Sequence, residues 1–135
     1  MSKDTVSFVT VPEWPRPQGY ANGAIGAGRV LHVAGQIAMT PDGGIADEEG
    51  LPGEVAQALD NVLAVVRAAG GAPVHIASMT IYVTDAEADR RNSSSIGAVW
   101  RERMGKHFPA MAVIGIHNLY EKGANVEICA IAYLP

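Results

Sequence analysis

Cysteine is almost absent from this chain: Cys129 is the only one in 135 residues. One thiol cannot close an intramolecular disulfide or build a cysteine-rich zinc cluster, so a disulfide scaffold and a zinc-knuckle fold are both excluded. Long apolar runs are missing as well. Stretches such as Met111 to Ile116 fall far short of the roughly 20 residues that a bilayer-spanning helix needs. The opening residues Met1-Ser2-Lys3-Asp4 lead into a short alternating segment and not into the apolar stretch of a secretory leader. With a lone thiol, this gives the reducing cytoplasm as the expected location. Positive charge is also scarce, with 10 Lys and Arg against 14 Asp and Glu and a formal net charge of -4. Phosphate contacts dominate nucleic-acid affinity, and binders of that kind carry a basic stripe. The densest basic cluster here is Arg101, Arg103 and Lys106, interrupted by Glu102, which reads as a solvated helix face. Neither a nucleic-acid partner nor a membrane is expected.

What is present describes a globule. Hydrophobic residues make up 48% and charged residues 18% of the chain, and the length suits one domain over residues 1–135 with a sizeable core. Val55, Leu59, Val62 and Val66 recur along one helical face, with Pro52 to start the helix and Gly70-Gly71 to stop it. A second helix is expected from about Ser94 to Lys106, bearing Ile96, Val99, Trp100 and Met104, with Asn92 or Ser93 as its cap and Gly105 at its end. Strands are expected ending near Ile25, over Val30 to Ala34 after a tight turn at Gly26 to Arg29, and over Ile76 to Val83. Met111 to His117 and Asn125 to Tyr133 read as a final strand pair. The order β-β-α-β-α-β-β gives an α+β two-layer sandwich, with both helices on one face of a mixed sheet.

That arrangement leaves a second sheet face. If the helices cover Ala77, Met79, Ile81 and Val83, then Ser78, Thr80 and Tyr82 look away from them. On the same side the last strands are expected to place Met111, Val113, Gly115 and His117, together with Glu127, Cys129, Ile131 and Tyr133. A mixed face with several exposed apolar residues usually meets a partner. A closed ring of identical subunits would bury it without leaving an open edge.

Chemical motifs of the common kinds are weak. His32, His75, His107 and His117 show no ligand spacing, so no metal is expected. Gly23, Gly26 and Gly28 do not form the dinucleotide fingerprint and sit between strands. Serines 93 to 95 lack a nucleophile elbow.

Six ordered segments carry a resemblance. Gly19-Tyr20-Ala21-Asn22-Gly23, Val33-Ala34-Gly35-Gln36-Ile37 and Gln57-Ala58-Leu59-Asp60-Asn61 are followed by Tyr82-Val83-Thr84-Asp85, Phe108-Pro109-Ala110 and Val126-Glu127-Ile128-Cys129-Ala130-Ile131-Ala132. In this order, over roughly residues 18 to 133, they resemble the landmarks of the Rid (YjgF) family. The resemblance implies a chorismate-mutase-like fold, a homotrimer with clefts between subunits, and hydrolysis of small-molecule enamines or imines to ketone and ammonia without a cofactor. It implies catalytic roles for Tyr20, which lines the cleft, and Glu127, which orients the attacking water.

One departure bears on the substrate. Family deaminases acting on 2-imino acids read Pro-Ala-Arg, where the arginine clamps the substrate carboxylate; this chain reads Pro109-Ala110-Met111, with Val113 in place of a usual cysteine. A guanidinium binds a carboxylate through two parallel hydrogen bonds, and a thioether cannot. The expected substrate is therefore an imine without the usual carboxylate handle, or with it elsewhere, Arg16 being the first candidate to hold it. Asn22, Met111, Val113, Trp14 and Cys129 are the candidate substrate-binding residues. Each has a structural counterpart: Tyr20 and Asn22 could brace a loop, Met111 could pack at an interface, and Glu127 could be a hydrogen-bonded buried carboxylate. A binding or regulatory trimer without turnover is the alternative class, and a ribonuclease a remote one, since no acid-base histidine pair is evident.

Overall fold

The computed structural model describes residues 4–135. Strands β1 (Val6–Val9), β2 (Gly23–Gly26) and β3 (Arg29–Gln36) precede helix α1 (Gly50–Ala68). After a single 3-10 turn come β4 (Ile76–Val83), α2 (Ala86–Arg91), α3 (Ser93–Met104), β5 (Ala110–Gly115) and β6 (Val126–Leu134). The main sheet has the order β3-β6-β4-β5, and β1 and β2 form a separate antiparallel pair. This is the expected α+β sandwich, with α1 and α3 on one face of the sheet. No helix among the described residues is long and apolar enough to cross a membrane.

Helix α1 follows from its stripe. Val55, Ala58, Leu59, Val62, Leu63 and Val66 are buried against Ile76, Met79, Val126, Ile128, Ala130 and Ala132 of the sheet. Its stop is built by two glycines. Gly70 takes φ +88°, and its N–H donates to the Arg67 carbonyl at 2.9 Å. The Gly71 N–H reaches back to the Val66 carbonyl, also at 2.9 Å, which is the double closure of a Schellman motif.

Several expectations need correction. The turn at Gly26 to Arg29 does not pair the strands it joins, because β2 pairs with β1 and β3 pairs with β6. Likewise β5 and β6 are not neighbours. Every second residue of β6 from Val126 to Leu134 is buried, so one face meets the core, and the strand lies between β3 and β4. The segment Ala86–Arg91, to which the sequence assigns no element, is a helix capped by Asp85, whose carboxylate accepts the Ala88 N–H at 3.0 Å. It buries no residue, so it has no apolar period to read. Asn92 stands at the start of α3 but does not cap it with its side chain; its Nδ2 donates instead to the Ala88 carbonyl at 2.8 Å.

The correction with the largest consequence concerns β5. It runs parallel to β4, as a strand-helix-strand crossover requires, with Met111 beside Met79 and Val113 beside Ile81. Partners in register share a face. Met79 is a core residue, and Met111 and Ile81 pack against the core. Met111 and Val113 therefore point to the helix side, away from Glu127 and Cys129, whose β4 partners are Tyr82 and Thr80.

One buried carboxylate ties the layers together. Glu54, in the first turns of α1, is 2% exposed and accepts the Asn125 backbone N–H at 3.1 Å and its Nδ2 at 2.7 Å. This anchors the approach to β6. Glu54→Ala should lower unfolding free energy by about 2 kcal/mol, the scale of hydrogen bonds to a charged group, as read from urea denaturation. A change under about 0.5 kcal/mol, the ordinary scale for a surface substitution, would show that this anchor carries no stability.

Candidate functional site

The sheet has a cavity on each side of its β4–β5 edge. The one on the helix side has a volume of about 590 Å³ and lies between β5, the α2–α3 arm and the Gly19-Tyr20 turn. Its walls include Tyr20, Ile96, Trp100, Phe108, Met111 and Val113. Tyr20 is held there by its neighbour: the Ala21 N–H donates to the Pro109 carbonyl at 3.0 Å, and Ala21 bridges to Ala110 in parallel register. This extends the edge of β5 by one residue and sets the phenol beside it. The Phe108 ring stacks on Trp100, with centroids 6.4 Å apart and planes 11° from parallel. The Trp100 indole N–H donates to the His107 carbonyl at 3.1 Å, which fixes that wall.

The second cavity, about 600 Å³, opens on the face without helices and is lined by Trp14, Arg16, Tyr20, Asn22, Ser78 and Thr80, among others. Tyr20 and Met111 border both spaces. Asn22 has a bracing role at this point, since its Oδ1 accepts the Val11 N–H at 3.3 Å. Arg16 lines this open-face cleft and not the helix-side cavity.

Glu127 and Cys129 line neither cavity. They stand farther along the open face, two residues apart on β6. The Glu127 carboxylate lies over Gly35, where a Cβ would collide with its Oε2. Gly35 falls in the irregular stretch of β3 where register shifts between Val33 and Gln36. Gln36 braces that stretch through its Nε2, which donates to the Ala34 carbonyl at 3.0 Å. The Cys129 thiol is pushed above its ordinary value by burial and, secondarily, by the negative charge of Glu127.

Residues that the sequence reading passed over also line the helix-side cavity. Asp89, Ser93 and Arg101 contribute its polar groups, Arg101 having been read as part of a solvated face. Positions 89, 93, 97 and 101 are four residues apart and fall on one side of the α2–α3 arm. That spacing was legible, but the missed helix α2 hid it. Burial raises the Asp89 carboxyl above its usual range, with Arg90 pulling the other way.

An α+β sandwich of this strand order, with a cavity at its parallel edge, defines a chorismate-mutase-like fold class. Residues 14–134 match the family described as Endoribonuclease L-PSP. A RutC family protein from Pyrococcus horikoshii is 31% identical over 88% of this chain and 90% of its own length. A 2-iminobutanoate/2-iminopropanoate deaminase from Bos taurus is 29% identical over 98% of this chain and 93% of its own. The crystal structure of YyfB from Yersinia pestis, a Rid family protein of unknown function, superposes with a TM-score of 0.84 at 27% identity, covering 96% of this chain and 99% of that one. The chain belongs to the Rid (YjgF/L-PSP) family.

The thiol gives a direct test of the open-face geometry. Because its pKa is raised, Cys129 holds less thiolate at neutral pH than a free cysteine does. Iodoacetamide should therefore alkylate it slowly at pH 7, with a pH midpoint above that of free cysteine. Glu127→Gln should move the midpoint partway down and leave the burial contribution in place. A midpoint unmoved by Glu127→Gln would contradict the placement of the Glu127 carboxylate beside the Cys129 thiol.

Proposed function

We propose that the protein hydrolyses a reactive imine or enamine in clefts formed between copies of the chain. In balanced form, one imine and one water give one ketone and one ammonia: the C=N bond is replaced by C=O, and the nitrogen leaves carrying both protons of the water. The protonated imine carbon is already electrophilic, so the protein has to place a water molecule and move protons. Glu127 accepts a proton from the attacking water, the carbinolamine forms, and the proton is delivered to nitrogen as the C–N bond breaks and ammonia leaves. Tyr20 holds the substrate by a polar contact, while Met111 and Val113 supply an apolar wall. Relatives such as the bovine deaminase, similar over nearly the whole chain, support the reaction class.

The observation that carries the intersubunit part of this reading is the separation of the candidates. Met111 and Val113 face the helix side of β5, whereas Glu127 and Cys129 face the opposite side of the sheet. One chain cannot bring both sets onto one small molecule. The face carrying Glu127 also bears exposed Val30 and Ile114, 51% and 42% accessible, which suits burial against another copy. A closed homotrimer satisfies both requirements.

Glu127→Gln should leave the assembled mass at about three times 14.2 kDa and lower kcat/KM for a verified imine ~10²–10⁴-fold, the usual contribution of a positioned base. Stopped-flow ammonia release measures this. An unchanged rate would make Glu127 structural.

Position 111 decides the substrate. Imines of alanine-like amino acids, made in situ by an amino-acid oxidase and trapped with semicarbazide, should be poor substrates, because their carboxylate would lie against a thioether. Met111→Arg should raise activity on them by roughly tenfold, part of the ~1.5–3 kcal/mol available to a charge-assisted hydrogen bond. Efficient turnover of these imines by the unaltered protein would overturn the altered-substrate reading.

A further inference from the structure

The helix-side cavity has a cation of its own. Arg101 lies on its α3 wall, on the same side of the sheet as Met111 and Val113. Its neighbours Arg90 and Arg103 are each paired with carboxylates, at 2.6 Å and 2.7 Å, whereas Arg101 makes no ion pair among the described residues. The guanidinium is folded back along the helix onto Gly97: a Cβ there would stand 3.2 Å from Nη1. With no side chain at 97, the guanidinium lies against the helix at the cavity wall, where Arg101 stays exposed and open to a ligand. The same cavity is lined by Ile81, Phe108, Met111 and Val113, with Asp89 as its carboxylate, so Arg101 is the cation of a largely apolar lining.

Such a combination selects a particular chemistry. A guanidinium presents a rigid fork of N–H donors that fits a carboxylate through two parallel bonds. A largely apolar cavity lined by three aromatic rings takes a large flat body more readily than a three-carbon one. We infer that Arg101, seated over Gly97, is the carboxylate-binding residue of this pocket, and that its ligands are aromatic carboxylates of the 2-oxo or 2-imino acid kind. The assignment rests on the pocket being the substrate site proposed above. The acid group is then held from the helix wall and not from β5, and the aromatic body fills the space between the two. A small imino acid held at Arg101 would leave most of the apolar wall uncovered, which agrees with the poor turnover expected for alanine-like imines.

Phenylpyruvate, the aromatic keto acid that hydrolysis of the matching imine would release, is the probe. Isothermal titration calorimetry on the intact protein should show binding that weakens at least tenfold in Arg101→Gln and changes less than twofold in Arg16→Gln. Gly97→Ala should weaken binding by a smaller factor, since the new methyl group crowds the guanidinium and shifts it slightly, while helix stability rises. A binding loss with raised thermal stability cannot be ascribed to unfolding. Unaltered affinity in Arg101→Gln, no phenylpyruvate binding by the natural protein, or a loss in Arg16→Gln in place of Arg101→Gln would each overturn the assignment. Turnover separates the two claims. Arg101-dependent binding with no ammonia release from any imine sinks the deaminase reading and leaves Arg101 standing. Ammonia release from the carboxylate-free imine of phenethylamine, with phenylpyruvate binding unchanged by Arg101→Gln, does the reverse.

Discussion

Strand β4 is hydrogen-bonded along both edges, parallel to β5 on one side and antiparallel to β6 on the other. This double register determines which side chains can meet. Alternate residues of β4 face the helices, and each neighbouring strand is locked to that alternation, because a slip of one residue would turn its whole buried set outward. With Met79 and Ile81 facing inward, Met111 and Val113 follow them. With Thr80 and Tyr82 facing outward, Cys129 and Glu127 follow those. The burial of Ile128 and Ala130 between two strands and a helix holds the arrangement in place.

The chemistry of the chain is therefore divided between two surfaces by its own core. A helix-side cavity with Tyr20, Trp100 and Arg101 has the shape and donors to hold a flat anionic molecule, but no glutamate. The open face has Glu127 over Gly35, but no enclosed space around it. In the proposed closed ring, Glu127 of one copy would reach the cavity of the next, which already holds Asp89, and exposed Val30 and Ile114 would be covered.

Much of this was legible in the residues. The Val55, Leu59, Val62, Val66 stripe and its Gly70-Gly71 stop located α1, and the alternation sorted the two faces of β4 correctly from Ser78 to Val83, though a register shift at its start puts Ile76 in the core. What failed was non-local. Nothing in Met111 to His117 or in Asn125 to Tyr133 says which strand lies beside which, and the antiparallel pair expected from their closeness in sequence put Met111 and Val113 on the wrong face. Helix α2 was missed because Ala86–Arg91 buries nothing and so carries no hydrophobic period. That miss hid the row from Asp89 to Arg101; Arg101 is exposed, as expected of a solvated face, and also borders the cavity. Cap geometry at Asp85 was the available signal, three residues before the N–H it accepts.

Subunit complementation tests the shared-site claim most directly. Glu127→Gln and Tyr20→Ala should each abolish most activity in a homogeneous assembly. Co-expressed in equal amounts as separately tagged chains, and purified through both tags, they form mixed rings. If each site takes Tyr20 from one copy and Glu127 from the next, a mixed three-membered ring keeps roughly a third of its sites intact. Ammonia release should then recover to about that fraction of the natural rate. If both residues serve a site within one chain, every site in the mixture carries a defect, and activity that stays at the level of the separate variants would contradict the account.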